Sequence, residues 1–120
     1  MGVYKDYSKS CCYCGREFNH HIHRTADHLI PVSKGGANGG ENKRNCCQHC
    51  NTQKKDLMPH DYLEYLLQED AGGSRSARLH LDAKIENVRN IVAYVNGAGE
   101  GIFANRKKYE WFRRRYLKAG

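Results

Sequence analysis

The residues best able to do chemistry lie in the first half of the chain. Cys11-x-x-Cys14 and Cys47-x-x-Cys50 form two knuckles, and Asp27-His28 lies between them. Thiolates bind Zn²⁺ tetrahedrally, and a two-residue spacer lets one tight turn present both sulfurs to the same ion. Gly15, directly after the first knuckle, can supply the positive φ that such a turn needs. Four thiolates leave no open coordination position, so this metal is expected to be structural zinc, contributing on the order of 10 kcal/mol of apparent folding free energy. Cys12 and Cys46 adjoin the ligands and could replace them, but only 11/14 with 47/50 gives two CxxC spacings, so both are expected as buried thiols.

Asp27 and Asn51, the residue after Cys50, can both offer oxygen to a hard divalent cation. His28 is of the residue type that removes a proton from water near neutrality. The histidines outside this group have weaker readings: His20, His21 and His23 as surface residues, His49 as a structural member of its knuckle, and His60 and His80 with no partner visible in sequence.

The elements that must position these residues follow from the texture of the chain. A strand is expected over Thr25 to Pro31, then a surface loop, SKGGANGGEN, whose four glycines forbid regular structure. A return strand at Asn45 to Cys47 and a helix over 50–57 complete the first half. Consecutive strand residues point to opposite faces, so a bulge or strand end is predicted at Asp27-His28 if both are to serve one site. Pro59 opens a second helix over 59–70, and AGGS at 71–74 is a hinge or loop. Leu81, Ile85, Val88, Val92 and Val95 recur as the stripe of an amphipathic helix stopped near Asn96-Gly97. A last helix, 104–118, sets Tyr109, Phe112 and Tyr116 on one stripe, its basic residues being either a solvated face or a DNA contact.

Composition limits the function classes. The 120 residues carry 20 Lys and Arg against 13 Asp and Glu, a net charge of +7 that favours a polyanionic partner. That charge is uneven: residues 1–58 carry +4, residues 59–102 carry −3, and residues 103–120 carry +6. The apolar fraction is 39%, and six Cys and eight Tyr supply much of it, so the aliphatic core is thin and a metal staple would meet the deficit. No apolar run approaches a membrane span, and MGVYKDYSKS has neither a signal-type apolar segment nor, with Asp6, a myristoylation pattern. Reduced thiols in a cytoplasmic setting are therefore expected, which disfavours disulfides; a dithiol redox centre would need only one of the two pairs.

CCYCG (11–15), ADHLIPVSKGG (26–36), ENKRNCCQHCN (41–51) and Lys54 together resemble the HNH endonuclease family in its zinc-knuckle form. The resemblance covers residues 11–58 and implies an α+β fold: a small ββα-metal (HNH, His-Me finger) core over 1–58, stapled by a four-cysteine zinc site, with a mainly helical extension over 59–120. It implies Asp27 and Asn51 as ligands of a catalytic Mg²⁺ or Mn²⁺, His28 as general base, and Asn42 as the middle asparagine that ties the loop and holds the His28 ring. The third letter is Asn51 in place of the literal His.

The implied reaction is DNA phosphodiester hydrolysis, leaving 5′-phosphate and 3′-hydroxyl ends. Lys54 and Lys55, three and four positions beyond Asn51, would face phosphates flanking the cut, with Arg24, Lys34, Lys43 and Arg44 as further contacts. Duplex DNA with weak, salt-sensitive sequence preference is the expected partner, and a phage or prokaryotic cell the expected setting, for a monomer or homodimer. A zinc-stabilised DNA-binding module without catalysis explains the charge and the cysteines equally well, and leaves the joint spacing of Asp27, His28, Asn42 and Asn51 without a reason.

Overall fold

A computed structural model describes residues 8–117; most of the N-terminal stretch read for a leader segment, and Lys118 at the end of the expected last helix, lie outside the described residues. The elements run β1 (Arg24–His28), β2 (Lys43–Cys47), α1 (Gln48–Lys54), α2 (Pro59–Leu67), α3 (Arg75–Ala98) and α4 (Arg106–Tyr116), with single 3₁₀ turns at Val32–Lys34, Gly40–Asn42 and Gly99–Ile102. The protein is α+β, and β1, β2 and α1 form a ββα unit carrying the four-cysteine cluster.

The two strands pair antiparallel in unbroken register, Arg24 opposite Cys47 through His28 opposite Lys43. RTADH is poor in strand-forming residues, so pairing and packing rather than propensity fix β1. The strand stops at His28 instead of continuing to Pro31 because Asn42 takes over the backbone. Leu29 N–H donates to the Asn42 carbonyl, Ile30 N–H to Asn42 Oδ1, and Asn42 Nδ2 donates to the Ile30 and Ala37 carbonyls. Leu29 and Ile30 thereby enter the core fully buried. The expected strand end at Asp27-His28 is present, whereas the regular register has no bulge there.

The end of α3 also differs from expectation. Helix α3 begins at Arg75, where Ser74 Oγ accepts from Ala77 N–H, and runs through Asn96-Gly97 to Ala98. The positive φ that ends it, +77°, belongs to Gly99.

The helical extension docks on the ββα unit around one continuous core. Tyr13 and Tyr62, both fully buried, meet edge to face at 5.5 Å. Asn87 Nδ2 donates to the Tyr13 carbonyl, Tyr94 Oη to the Glu41 carbonyl, and Phe112 lies buried against Phe103 at 5.0 Å. Gly36 and Phe103 form an isolated antiparallel bridge, flanked by Ala37 N–H to Ile102 O and Ala104 N–H to Gly35 O. A Cβ on Gly36 would collide with the Ile30 carbonyl, and one on Gly35 (φ +98°) would lie 2.6 Å from Lys108 Cβ. Both of these glycines are therefore required by close packing. Among the described residues, no helix is long and apolar enough to cross a membrane.

Candidate active site and metal centre

Cys11, Cys14, Cys47 and Cys50 are all buried, and their sulfurs lie within 4.8 Å of one another. Cys14 Sγ and Cys47 Sγ are 3.8 Å apart, and a tetrahedron with Zn–S bonds of about 2.3 Å has edges of about 3.8 Å. The donor set therefore fits a thiophilic tetrahedral ion. Each knuckle is a turn that aims amide hydrogens at sulfur: Tyr13 and Cys14 N–H donate to Cys11 Sγ, and Cys50 N–H donates to Cys47 Sγ at the start of α1.

Hydrogen bonding to Cys11 and Cys50 holds the Cys14 thiol well below its usual range, while hydrogen bonding to Cys11 and then Cys14 pushes Cys50 up. Four sulfurs this close do not all ionise without a cation between them. Four thiolates on one divalent ion leave two net negative charges. Arg16, bonded to Cys14, and Lys84, buried and donating to Gln53 Oε1 at 2.6 Å, stand near enough to offset them. Cys46 is buried as expected, its thiol pushed up to about 12 by burial; Cys12 is half-buried rather than buried.

A second cluster lies where α1 crosses β1. Thr25 and Asp27, two apart on the strand, share the face toward the helix. Asn51 Nδ2 donates to Thr25 Oγ1 at 3.1 Å, and Lys54, one turn on, reaches Asp27 Oδ2 at 3.1 Å and the His28 carbonyl at 3.2 Å. Tyr13 Oη donates to the same Asp27 oxygen at 2.5 Å. Burial first, and then the Asp27 charge, drive the Tyr13 phenol well above its ordinary range, so it stays a donor. Two oxygens have no partner among the described residues: Asp27 Oδ1 and Asn51 Oδ1. A carboxylate oxygen from β1 and an amide oxygen from α1 are donors of the type that a hard divalent cation takes.

His28 closes the strand, with its ring half-buried. Its Nε2 lies 3.0 Å from Asn38 Oδ1. An amide oxygen only accepts, so the ring donates from Nε2 and keeps the Nδ1 lone pair available. Asn42, expected both to tie the loop and to hold this ring, is fully buried and bonds only backbone; the ring partner is Asn38. The physical reason is reach: Asn42 is committed to Ile30 and Ala37, and the exposed loop carries Asn38 back over the strand end.

The six cationic side chains expected on DNA have different fates, and Lys34 is held by Asp56, donating to its carbonyl at 2.6 Å and lying 3.6 Å from its carboxylate. Lys54 is fully buried in its pair with Asp27, so it is neither a phosphate contact nor a solvated lysine in this structure. Arg44 bonds the Lys43 carbonyl at 2.7 Å and lies 4.7 Å over the Tyr94 ring, which holds it against α3. Lys43 is paired with His28 across the ladder, which sets the two side chains on one face. Arg24 and Lys55 are exposed.

His49, expected to be structural, is instead exposed, and with His21, His23 and Arg16 lines a cavity of about 610 Å³ beside the knuckles. Sequence reasoning missed Tyr13, Thr25 and Asn38. Tyr13 lies between the cysteines of the first knuckle and Thr25 two residues before Asp27, which is the only signal either carried.

Comparison with known proteins bears on the same residues. A sequence profile described as HNH endonuclease matches residues 11–67, which span both knuckles, the ββα unit and all of α2. No curated protein matches the chain. Among solved structures, the Type II-C Cas9 enzyme from Actinomyces naeslundii is similar over 68% of this chain at 18% identity, with a TM-score of 0.35. The chain spans 10% of that structure's length. The match takes in all four clustered cysteines together with Asp27, His28, Asn42 and Asn51, so residues 11–67 fit the HNH endonuclease family.

Proposed function

We propose that the protein is a metal-dependent DNA endonuclease that hydrolyses phosphodiester bonds through His28, Asp27 and Asn51, with structural zinc on Cys11, Cys14, Cys47 and Cys50. The observation that carries the reading is the pair of unclaimed oxygens, Asp27 Oδ1 and Asn51 Oδ1, on the strand–helix contact that ends at His28. Mg²⁺ or Mn²⁺ held by those oxygens would neutralise charge on a non-bridging phosphoryl oxygen and on the departing 3′ oxygen.

The chain's own groups supply the rest. Asn38 fixes the tautomer in which His28 Nδ1 accepts a proton from the attacking water. Tyr13 and Lys54 hold the Asp27 carboxylate in one orientation, and Asn42 fixes the loop behind it. Lys43, beside His28, and the exposed Arg24 and Lys55 are placed to meet flanking phosphates. Attack in line with the leaving oxygen gives 5′-phosphate and 3′-hydroxyl ends. The catalytic unit is assigned to residues 1–58, with 59–120 as its docked extension, working in the reducing cytoplasm of a prokaryotic or phage-infected cell.

One observation favours a second reading, a zinc-stabilised DNA-binding module. Lys54 and Tyr13 already satisfy one Asp27 oxygen without any metal. Supercoiled-plasmid cleavage with Mg²⁺ and then Mn²⁺, beside a His28→Ala protein that retains zinc and DNA binding, separates the two. Cleavage by the parent protein alone supports the nuclease, and nicked or linear product reports the number of strands cut. Equal inactivity with intact binding supports the module.

A further inference from the structure

Helix α4 has three faces. Tyr109, Phe112 and Tyr116 pack toward the core. Arg106, Glu110 and Arg113 neutralise one another: Arg106 pairs with Glu110 at 3.6 Å and Arg113 pairs with it at 3.2 Å, while Arg106 also reaches Glu100 at 3.2 Å. The third face holds Lys107, Lys108, Trp111 and Arg114, all exposed, spaced three, four and seven apart so that they form one stripe. Lys107, Lys108 and Arg114 have no carboxylate partner among the described residues. Of the six cations of the helix, two are paired with carboxylates, Arg115 lies against Tyr116, and three are left on a single side around an indole that is 36% exposed.

That side adjoins the loop that follows His28. Ser33, Lys34, Lys107, Lys108, Trp111 and Arg114 line one open cavity of about 430 Å³. The Lys108 stem packs against Gly35, and Ala104 N–H donates to the Gly35 carbonyl, which fixes the helix to the loop. Lys34 is paired with Asp56 at 3.6 Å, but the three cations of α4 have no such acid among the described residues, and a concave surface with three unpaired cations and one aromatic ring is complementary to a sugar-phosphate chain. All of α4 lies outside residues 11–67, the part matched by the family.

We propose that this stripe is a second DNA-binding surface that grips the phosphate backbone flanking the cut, Trp111 packing against deoxyribose. The proposal rests on the nuclease reading above and extends it to a part of the chain that the reading does not use. Because the contact is to backbone, it adds affinity without sequence preference.

The test is binding of a mixed-sequence DNA duplex across a salt series, in a His28→Ala background that prevents cleavage. The variant Lys107→Gln/Lys108→Gln/Arg114→Gln is expected to bind at least about tenfold more weakly at low salt, with the slope of log affinity against log salt shallower by about 2 to 3. Arg106→Gln/Arg113→Gln, which removes two cations already neutralised, is expected to stay within about twofold of its parent. Trp111→Ala should weaken binding without changing the slope. Thermal unfolding of each variant checks that α4 remains docked. An unchanged slope in the triple variant, or equal losses in the two charge variants, overturns the proposal and leaves the nuclease reading standing. Failure of the parent protein to bind duplex DNA at all overturns both.

Discussion

Lys54 Nζ lies 3.1 Å from Asp27 Oδ2 although the lysine side chain has no solvent exposure. A buried ammonium and a nearly buried carboxylate hold each other in place, and removing one strands the other. Asp27→Ala is expected to destabilise the fold by about 3–5 kcal/mol in addition to abolishing cleavage. Asp27→Asn/Lys54→Met, which removes both charges, should recover most of the stability in urea unfolding and none of the cleavage. If the double variant were as unstable as Asp27→Ala, the ion pair would not be the cause.

The Asn38 contact to His28 predicts a positioning effect. Asn38→Ala should lower kcat on the order of 10²-fold with KM little changed, since the ring loses its anchor while the DNA contacts remain. Asn38→Asp should preserve the orientation and stabilise the charged imidazolium, so the acidic limb of the pH–rate profile should move to higher pH. A profile identical to the parent's in both variants would remove Asn38 from the mechanism.

For the four-cysteine cluster, Cys11→Ser or Cys50→Ser should abolish stoichiometric zinc and unfold the ββα unit, because the metal contributes on the order of 10 kcal/mol. Cys12→Ser should keep both the metal and the melting temperature close to those of the parent. Native mass spectrometry with and without a chelator reads the stoichiometry, and far-UV circular dichroism reads the fold.

His60 predicts a pH dependence of stability. Its Nε2 meets Asn96 Oδ1 at 2.7 Å, its Nδ1 is buried without a partner among the described residues, and burial lowers its pKa below the ordinary 6.5. The folded state therefore binds its proton less readily than the unfolded chain does. The stabilisation from this site is complete above pH 6.5 and is lost as pH falls through the depressed folded value. His60→Phe, placed among Phe112 and Tyr116, should flatten that part of the stability curve relative to the parent in urea titrations at several pH values.

Features set by short spacing are legible in the sequence itself. Two CxxC turns need only local geometry to aim paired sulfurs, and the stripe over Leu81, Ile85, Val88, Val92 and Val95 follows from helical period alone. Features that depend on contacts distant in sequence are not. Lys54 reads as a surface lysine until α1 is laid across β1, and Arg44 as a free cation until Tyr94 of α3 covers it. Asn38 sits in a glycine-rich loop whose path is set by Asn42 and by Phe103. Asn96-Gly97 is a common stop signal, yet the chain turns at Gly99, so α3 ends beyond the point that local pattern suggests.

The bridge between Gly36 and Phe103 ties the loop that follows His28 to a segment 67 positions further along the chain. Ala37 and Ala104, whose amides are bonded across this junction, should therefore lose protection from hydrogen exchange in the same opening event. Loop and extension would then unfold as one cooperative unit, so a fragment ending before Phe103 would not preserve the loop after His28 in its native shape.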